Sequence, residues 1–126
     1  MIRYVDTNIL VRLMTNDVPA LAQEAMHQVQ KSRPGELVII DAVLVELFFV
    51  LEFNRKYQFS RDKIAVIFNG IMSIPQFKLS DIAKAAYGLF VDIKKLDFTD
   101  CLIAVSGNSK KESVITFDGD LLEALI

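Results

Sequence analysis

Four short, largely apolar runs recur along the chain, at residues 2–5, 37–40, 77–79 and 114–116, and each gap between them has room for two helices. Short runs of this kind fit buried strands, whereas apolar residues returning every three or four positions fit helices. Antiparallel neighbours can be joined by a tight hairpin, but parallel neighbours need a long crossover, usually a helix. The spacing therefore predicts an α/β fold: a three-layer α/β/α arrangement around a mainly parallel sheet of about four strands. The 126 residues lie within the usual range of one domain. With no repeat, low-complexity tract or long linker in view, residues 1–126 are expected to form a single domain.

Helix punctuation supports the same order. A short helix is expected at 8–14, broken by Asn16-Asp17. Pro19 suits the first turn of the next, which runs to about Ser32 before Pro34-Gly35. Asp41 is placed to cap a long helix from Ala42 to about Lys56, and Ser60 to cap another ending near Ser73, before Pro75. Ser80 or Asp81 begins a helix to about Lys95, a further helix spans 97–110, and a short terminal one starts near Gly119.

Composition removes several function classes. Apolar residues make up 52 % of the chain, which fits a folded globule and not a disordered segment. The net charge of −2 is wrong for a protein that grips nucleic acid by bulk charge, so such a role needs a local basic patch or a metal. A single cysteine, Cys101, excludes an intrachain disulfide and a cysteine-based zinc site, and fits a reducing cytoplasm. The N-terminus has no signal-peptide pattern, and the longest apolar run is broken by Glu46, so no membrane role is expected.

The acids carry the chemistry. Asp6 ends the first strand in Val5-Asp6-Thr7-Asn8, at the sheet edge where ligands bind in open α/β folds, although it also suits a helix N-cap. Asn8 could cap instead, or hold the Asp6 carboxylate from behind. Glu46 stands in a stretch that is apolar all round and expected to be buried, where a lone carboxylate costs several kcal/mol unless it meets a cation, donor or metal. Asp97 and Asp100 share one face at the start of a helix, with Asp97 the better N-cap and Asp100 the better ligand. Asp118 follows the last strand, where an ordinary Asp-Gly turn would also account for it, and Thr116 could donate to a nearby carboxylate. Oxygen-only ligands select hard cations such as Mg²⁺ or Mn²⁺ over zinc.

With these motifs in view, the chain resembles the PIN-domain ribonucleases, and among them the VapC-like toxins of type II toxin–antitoxin pairs. Val5-Asp6-Thr7-Asn8-Ile9-Leu10 is similar to the first acidic motif, Glu46 within Val45-Glu46-Leu47 to the second, Asp97-Phe98-Thr99-Asp100 to the third, and Thr116-Phe117-Asp118 to the last. The resemblance covers nearly the whole length and implies a PIN-like fold. It implies Asp6, Glu46, Asp100 and Asp118 as catalytic acids and Asp6, Asp100 and Asp118 as metal ligands, with Asn8, Asp97 and Thr116 accessory. It further implies a Mg²⁺- or Mn²⁺-dependent endoribonuclease acting on RNA in the cytoplasm, a homodimer silenced by a small antitoxin. Cys101 stands where Ala is usual after the third acid.

Other residues are weighed against bland roles. His27, the only histidine, lies in a surface-like helix and has no expected role in catalysis. Cys101 reads as a small buried apolar residue. Arg12, one helix from Asp6, is the best RNA-contact candidate among cations that otherwise read as solvated helix faces, including Arg55, Lys56 and Arg61. The Phe48, Phe49, Phe53, Tyr57 and Phe59 group suits either core packing or a surface for a partner. A haloacid-dehalogenase-like phosphatase would need a second Asp where Asn8 stands. A receiver domain would need its acceptor Asp after a middle strand and a Lys after a later one. A catalytically idle PIN-like domain that only binds protein or RNA remains the alternative.

Overall fold

Each strand contributes only two residues to the sheet ladder, so register is set by what flanks them. The computed structural model describes all of residues 1–126, which gather into two compact units, Met1–Leu79 and Ser80–Ile126.

The first unit holds β1 (Arg3–Tyr4), α1 (Thr7–Thr15), α2 (Pro19–Gln30), β2 (Leu37–Val38), α3 (Asp41–Phe53), α4 (Arg61–Met72) and β3 (Phe77–Lys78). The sheet is parallel in the order β1-β2-β3, with Arg3 beside Leu37 and Leu37 beside Phe77. Backbone bonds lengthen the ladder beyond the two-residue strands: Arg3 N–H donates to Glu36 O at 2.8 Å and Val5 N–H to Val38 O at 3.0 Å. Each crossover is a helix pair, as the spacing of the apolar runs predicts.

The core of this unit centres on α3. Leu44, Leu47 and Leu51 recur at helical spacing and are all but fully buried, with Leu10 of α1 and Ile64, Phe68 and Ile71 of α4 equally so. Phe48 packs its ring 5.3 Å from that of Phe68. Burying such side chains stabilises by about 1.5–3 kcal/mol each. The expectation that α3 is buried all round is corrected here, because Phe49 is 63 % and Phe53 57 % exposed. Within this unit α1 and α4 cover one side of the helix, and a uniformly apolar sequence cannot say which residues fall on the other. Asp41 is the first residue of α3, and its N-cap position is Ile40, which offers no side-chain acceptor.

Loops of this unit are fixed by short polar contacts. Asn16 ends α1 in the left-handed region, φ 53°, where Asn is tolerated better than most residues. Asp17 then accepts from Arg12 at 2.9 and 3.0 Å, from Thr15 Oγ1 at 3.0 Å and from Tyr57 OH at 2.7 Å. Tyr57 thereby ties the α3–α4 loop to the α1–α2 loop.

The second unit holds α5 (Asp81–Asp92), α6 (Phe98–Ser106) and α7 (Gly119–Ala124). Small buried residues, Ala83, Ala86, Cys101 and Ala104, let α5 and α6 approach closely, and Phe90 meets Phe98 edge-on at 6.4 Å. Cys101 is fully buried, in keeping with an apolar role. Helix α6 stops four residues short of the expected Lys110. Asn108 and Ser109 both adopt left-handed backbone, φ 53° and 56°, which an α-helix cannot continue through. Gly107 is required at this stop, since a Cβ there would lie 2.7 Å from Val114 Cγ2.

The expected fourth strand is also corrected. After a single 3-10 turn at Lys111–Ser113, the chain at Val114 is extended, φ −132° and ψ 128°, but the sheet has three strands and residues 114–116 are not among them. Ile115 and Phe117 are fully exposed. A β-branched run favours extended backbone by its own sterics, but it becomes a strand only where a ladder partner and a packed face are supplied.

Asp17 offers a direct check on the loop clasp. The donated hydrogen bond from Tyr57, with those from Arg12 and Thr15, lowers its pKa to about 2. A depressed carboxylate contributes stability above its unfolded value, near 4, and loses it as the pH falls toward 2. In Tyr57→Phe, NMR titration of the Asp17 carboxyl should move up toward the ordinary aspartate value. An unmoved midpoint would mean that the tyrosine hydroxyl is not its main donor.

Candidate active site

In the first unit two acids stand on the crossover out of β1 and on α3. Asp6 is the N-cap of α1: its Oδ1 accepts from Thr7 N–H at 2.7 Å. Capping uses one carboxylate oxygen and leaves the second free of the helix backbone bond. Glu46 lies in the second turn of α3 on its exposed side, not in the apolar interior. Ala42, Glu46, Phe49 and Phe53 form one exposed stripe along that helix. Glu46 is nonetheless held. Thr7, a buried residue of α1, donates from Oγ1 to Glu46 Oε2 at 3.1 Å. Asn8 is the second residue of α1 and is exposed, so Asp6 and not Asn8 caps the helix.

Thr7 is the residue that sequence reading passed over. The available signal was a small hydroxyl directly after the strand-end acid, in a first helical turn otherwise followed by Ile9, Leu10 and Val11. A buried hydroxyl needs a partner, and at that position a carboxylate from a neighbouring element is the natural acceptor.

In the second unit two acids interlock at the start of α6 and a third caps α7. Asp97 caps α6 through a capping box: its Oδ1 accepts from Asp100 N–H at 2.8 Å, and Asp100 Oδ2 accepts from Asp97 N–H at 3.3 Å. Asp118 caps α7, its Oδ1 accepting from Asp120 N–H at 2.9 Å and Leu121 N–H at 3.2 Å. Thr116 Oγ1 accepts from Asp118 N–H at 3.0 Å, so it braces the backbone under the acid and does not donate to a carboxylate there. Burial first, then the like charges of Asp97 and Asp118, raise the Asp100 pKa above the ordinary aspartate value. Asp100 and Asp118, eighteen positions apart in sequence, are thus close enough to repel.

Cap and ligand are not competing roles at these positions. Asp6, Asp97 and Asp118 each spend one oxygen on a helix N-terminus, and the helix dipole steadies the charge. The donors are carboxylates only, the chemistry of a hard divalent cation. Crowded negative charge at Asp100 is the condition that such a cation relieves. Within neither unit do three or more His, Cys, Asp or Glu side chains come together so as to hold a metal on their own. Arg12 is committed to Asp17 at 2.9 Å and would have to leave that pair to meet a phosphate. His27 is exposed on α2.

A family model described as the PIN domain matches residues 3–124, nearly the whole chain. Comparison with curated proteins and with solved structures returned no match.

The raised Asp100 pKa has a signed consequence for stability. The folded chain holds that proton more tightly than the unfolded chain, so the associated stability is present below about pH 4 and lost as the pH rises through the folded value. At neutral pH the charged Asp100 is therefore a cost, which Asp100→Asn removes. Its Tm at pH 7 should equal or exceed that of the wild type, with the gap closing toward pH 4. A fall of several degrees at pH 7 would make the capping box the main role of Asp100.

Proposed function

Since the chain belongs to the PIN domain family, whose members are in general metal-dependent nucleases, we propose that it is a Mg²⁺- or Mn²⁺-dependent endoribonuclease, the toxin of a type II toxin–antitoxin pair. The capping-box pairing of Asp97 with the half-buried Asp100, within a set of candidate ligands made of carboxylates only, carries this reading, because such oxygen donors suit a hard divalent cation.

In this reading Asp6, Asp100 and Asp118 would hold the cation. When bound, it supplies Lewis-acid chemistry that acidifies a water and polarises the scissile phosphate. Glu46 accepts the proton of the attacking water, and the Thr7 hydroxyl orients it for that task. The caps at Asp6 and Asp118 pre-set two carboxylates, so that little side-chain entropy is lost on binding. The enzyme cleaves RNA within the strand, acts in the cytoplasm and works as a homodimer. No helix is long and apolar enough to cross a membrane.

A toxin of this kind must be held silent. The exposed stripe of α3 supports a helical partner: Phe49 and Phe53, rings 5.1 Å apart, offer an apolar seat, and Glu46 lies one turn away on the same side. An antitoxin helix with two apolar side chains and an Arg one turn on would satisfy both, the guanidinium bridging carboxylate oxygens.

Three measurements bear on the proposal. Asp6→Asn and Asp100→Asn should each remove Mg²⁺-dependent cleavage of total cellular RNA, by on the order of a hundredfold or more, and each should abolish Mn²⁺ binding followed by electron paramagnetic resonance. If only one of them lost Mn²⁺, Asp6 and Asp100 would not share an ion. Thr7→Val should slow cleavage about tenfold, the worth of one oriented hydrogen bond, while leaving Mn²⁺ binding intact. Co-expression with the neighbouring gene should yield a copurifying small protein that Phe49→Asp/Phe53→Asp no longer captures. A chain that binds partners but never cleaves RNA with Mg²⁺ is the idle PIN-like module.

A further inference from the structure

The segment 54–63, which joins α3 to α4 and opens α4, concentrates positive charge that the whole-chain balance conceals. It carries Arg55, Lys56, Arg61 and Lys63 against a single acid, Asp62, in a chain of net charge −2. Arg55, Lys56 and Lys63 are exposed.

The loop is built, not slack. Asn54 Oδ1 accepts from Lys56 N–H at 2.9 Å, and Asn54 O accepts from both Tyr57 N–H and Gln58 N–H. Phe59 N–H returns to Leu51 O at 2.8 Å, closing the loop onto α3. Gln58 holds a left-handed conformation, φ 45°, which a non-glycine residue adopts only where its surroundings impose it. The turn it makes brings Tyr57 and Phe59 together, ring centroids 5.5 Å apart, and Lys63 Nζ sits 4.0 Å above the Phe59 ring.

The nearby acids do not cancel this charge. Asp17, the acid that touches the loop, is engaged by Arg12, Thr15 and Tyr57. Glu52, half-buried on α3, and Asp62 are the remaining carboxylates close in sequence.

We propose that this loop is a docking surface for the backbone of single-stranded RNA, with Arg55, Lys56 and Lys63 meeting successive phosphates beside an aromatic floor of Tyr57 and Phe59. Exposed cations interleaved with aromatic rings on a rigid turn suit a flexible polyanion whose bases are unpaired. The proposal rests on RNA being the substrate. It places the grip on the loop after α3 and the first turn of α4, about two helical turns of α3 beyond Glu46.

The test is fluorescence anisotropy with a labelled oligouridylate of about twenty nucleotides, in EDTA so that no cleavage occurs, across a series of KCl concentrations. The variant is Arg55→Gln/Lys56→Gln/Lys63→Gln, and the charge-matched control is Lys31→Gln/Arg33→Gln/Lys84→Gln. Circular dichroism melting confirms that both fold. The loop variant should bind at least tenfold more weakly, and its slope of log K against log salt should fall by about 2, as expected for three lost phosphate contacts. An unchanged slope in the loop variant overturns the proposal. So does an equal loss in the control, which would mean diffuse charge and not a site. Absence of wild-type binding in EDTA overturns it as well. Binding that behaves as expected without any Mg²⁺-dependent cleavage would sink the nuclease reading and leave this surface standing.

Discussion

Burial of one side of α3 is the constraint on which the first unit turns. Leu44, Leu47 and Leu51 leave no room for any other rotation of the helix, because exposing even one of them would forfeit about 1.5–3 kcal/mol. With that side fixed, the 3.6-residue period sends Glu46, Phe49 and Phe53 outward together. The acid is therefore available for chemistry as a by-product of leucine packing. Two exposed phenylalanines on the same stripe are the cost, and a partner surface is the use to which such a stripe can be put.

The acids show how a single feature can serve folding and function at once. A helix N-terminus needs an acceptor, and an aspartate there is oriented by the bond it accepts. Asp6, Asp97 and Asp118 are all in this position. Each is thereby held at a strand end or helix start without an extra scaffold. Asp100 differs: it lies inside the first turn, where partial burial first and then the neighbouring charge of Asp97 raise its pKa. That contrast between steadied acids and one strained by its neighbours marks Asp100 as the place where charge compensation matters most.

Polar contacts in the loops follow a similar economy. Tyr57 and Asp17 join two loops across the first unit, while Thr7 and Glu46 join α1 to α3 nearer the strand ends. Both links are side chain to side chain, over about forty positions of sequence. They tie α1 to the far end of the α3 segment as well as to its second turn, which limits how α1 can slide along α3.

The sequence by itself determined the kind of fold and the placing of the candidate acids at helix starts. Crossover length demands parallel pairing, apolar period marks the helices, and Pro19, Ser60, Ser80 and Asp97 mark their starts through local backbone chemistry. These are short-range effects, legible wherever the responsible residues are neighbours. Tertiary structure decided the rest. Which side of the uniformly apolar α3 faces inward depends on α1 and α4, so Glu46 turned out exposed and Thr7 proved to be its partner. Residues 114–116 have the composition of a strand but lack a ladder partner in the three-stranded sheet. Helix α6 ended early at the left-handed Asn108 and Ser109, where Val114 packs so close to Gly107 that no Cβ fits. Asp17, which Arg12 meets five positions away, is also held by a tyrosine forty residues from it. In each case the outcome hung on packing or pairing between segments far apart in the chain, and no local pattern of residues encodes that.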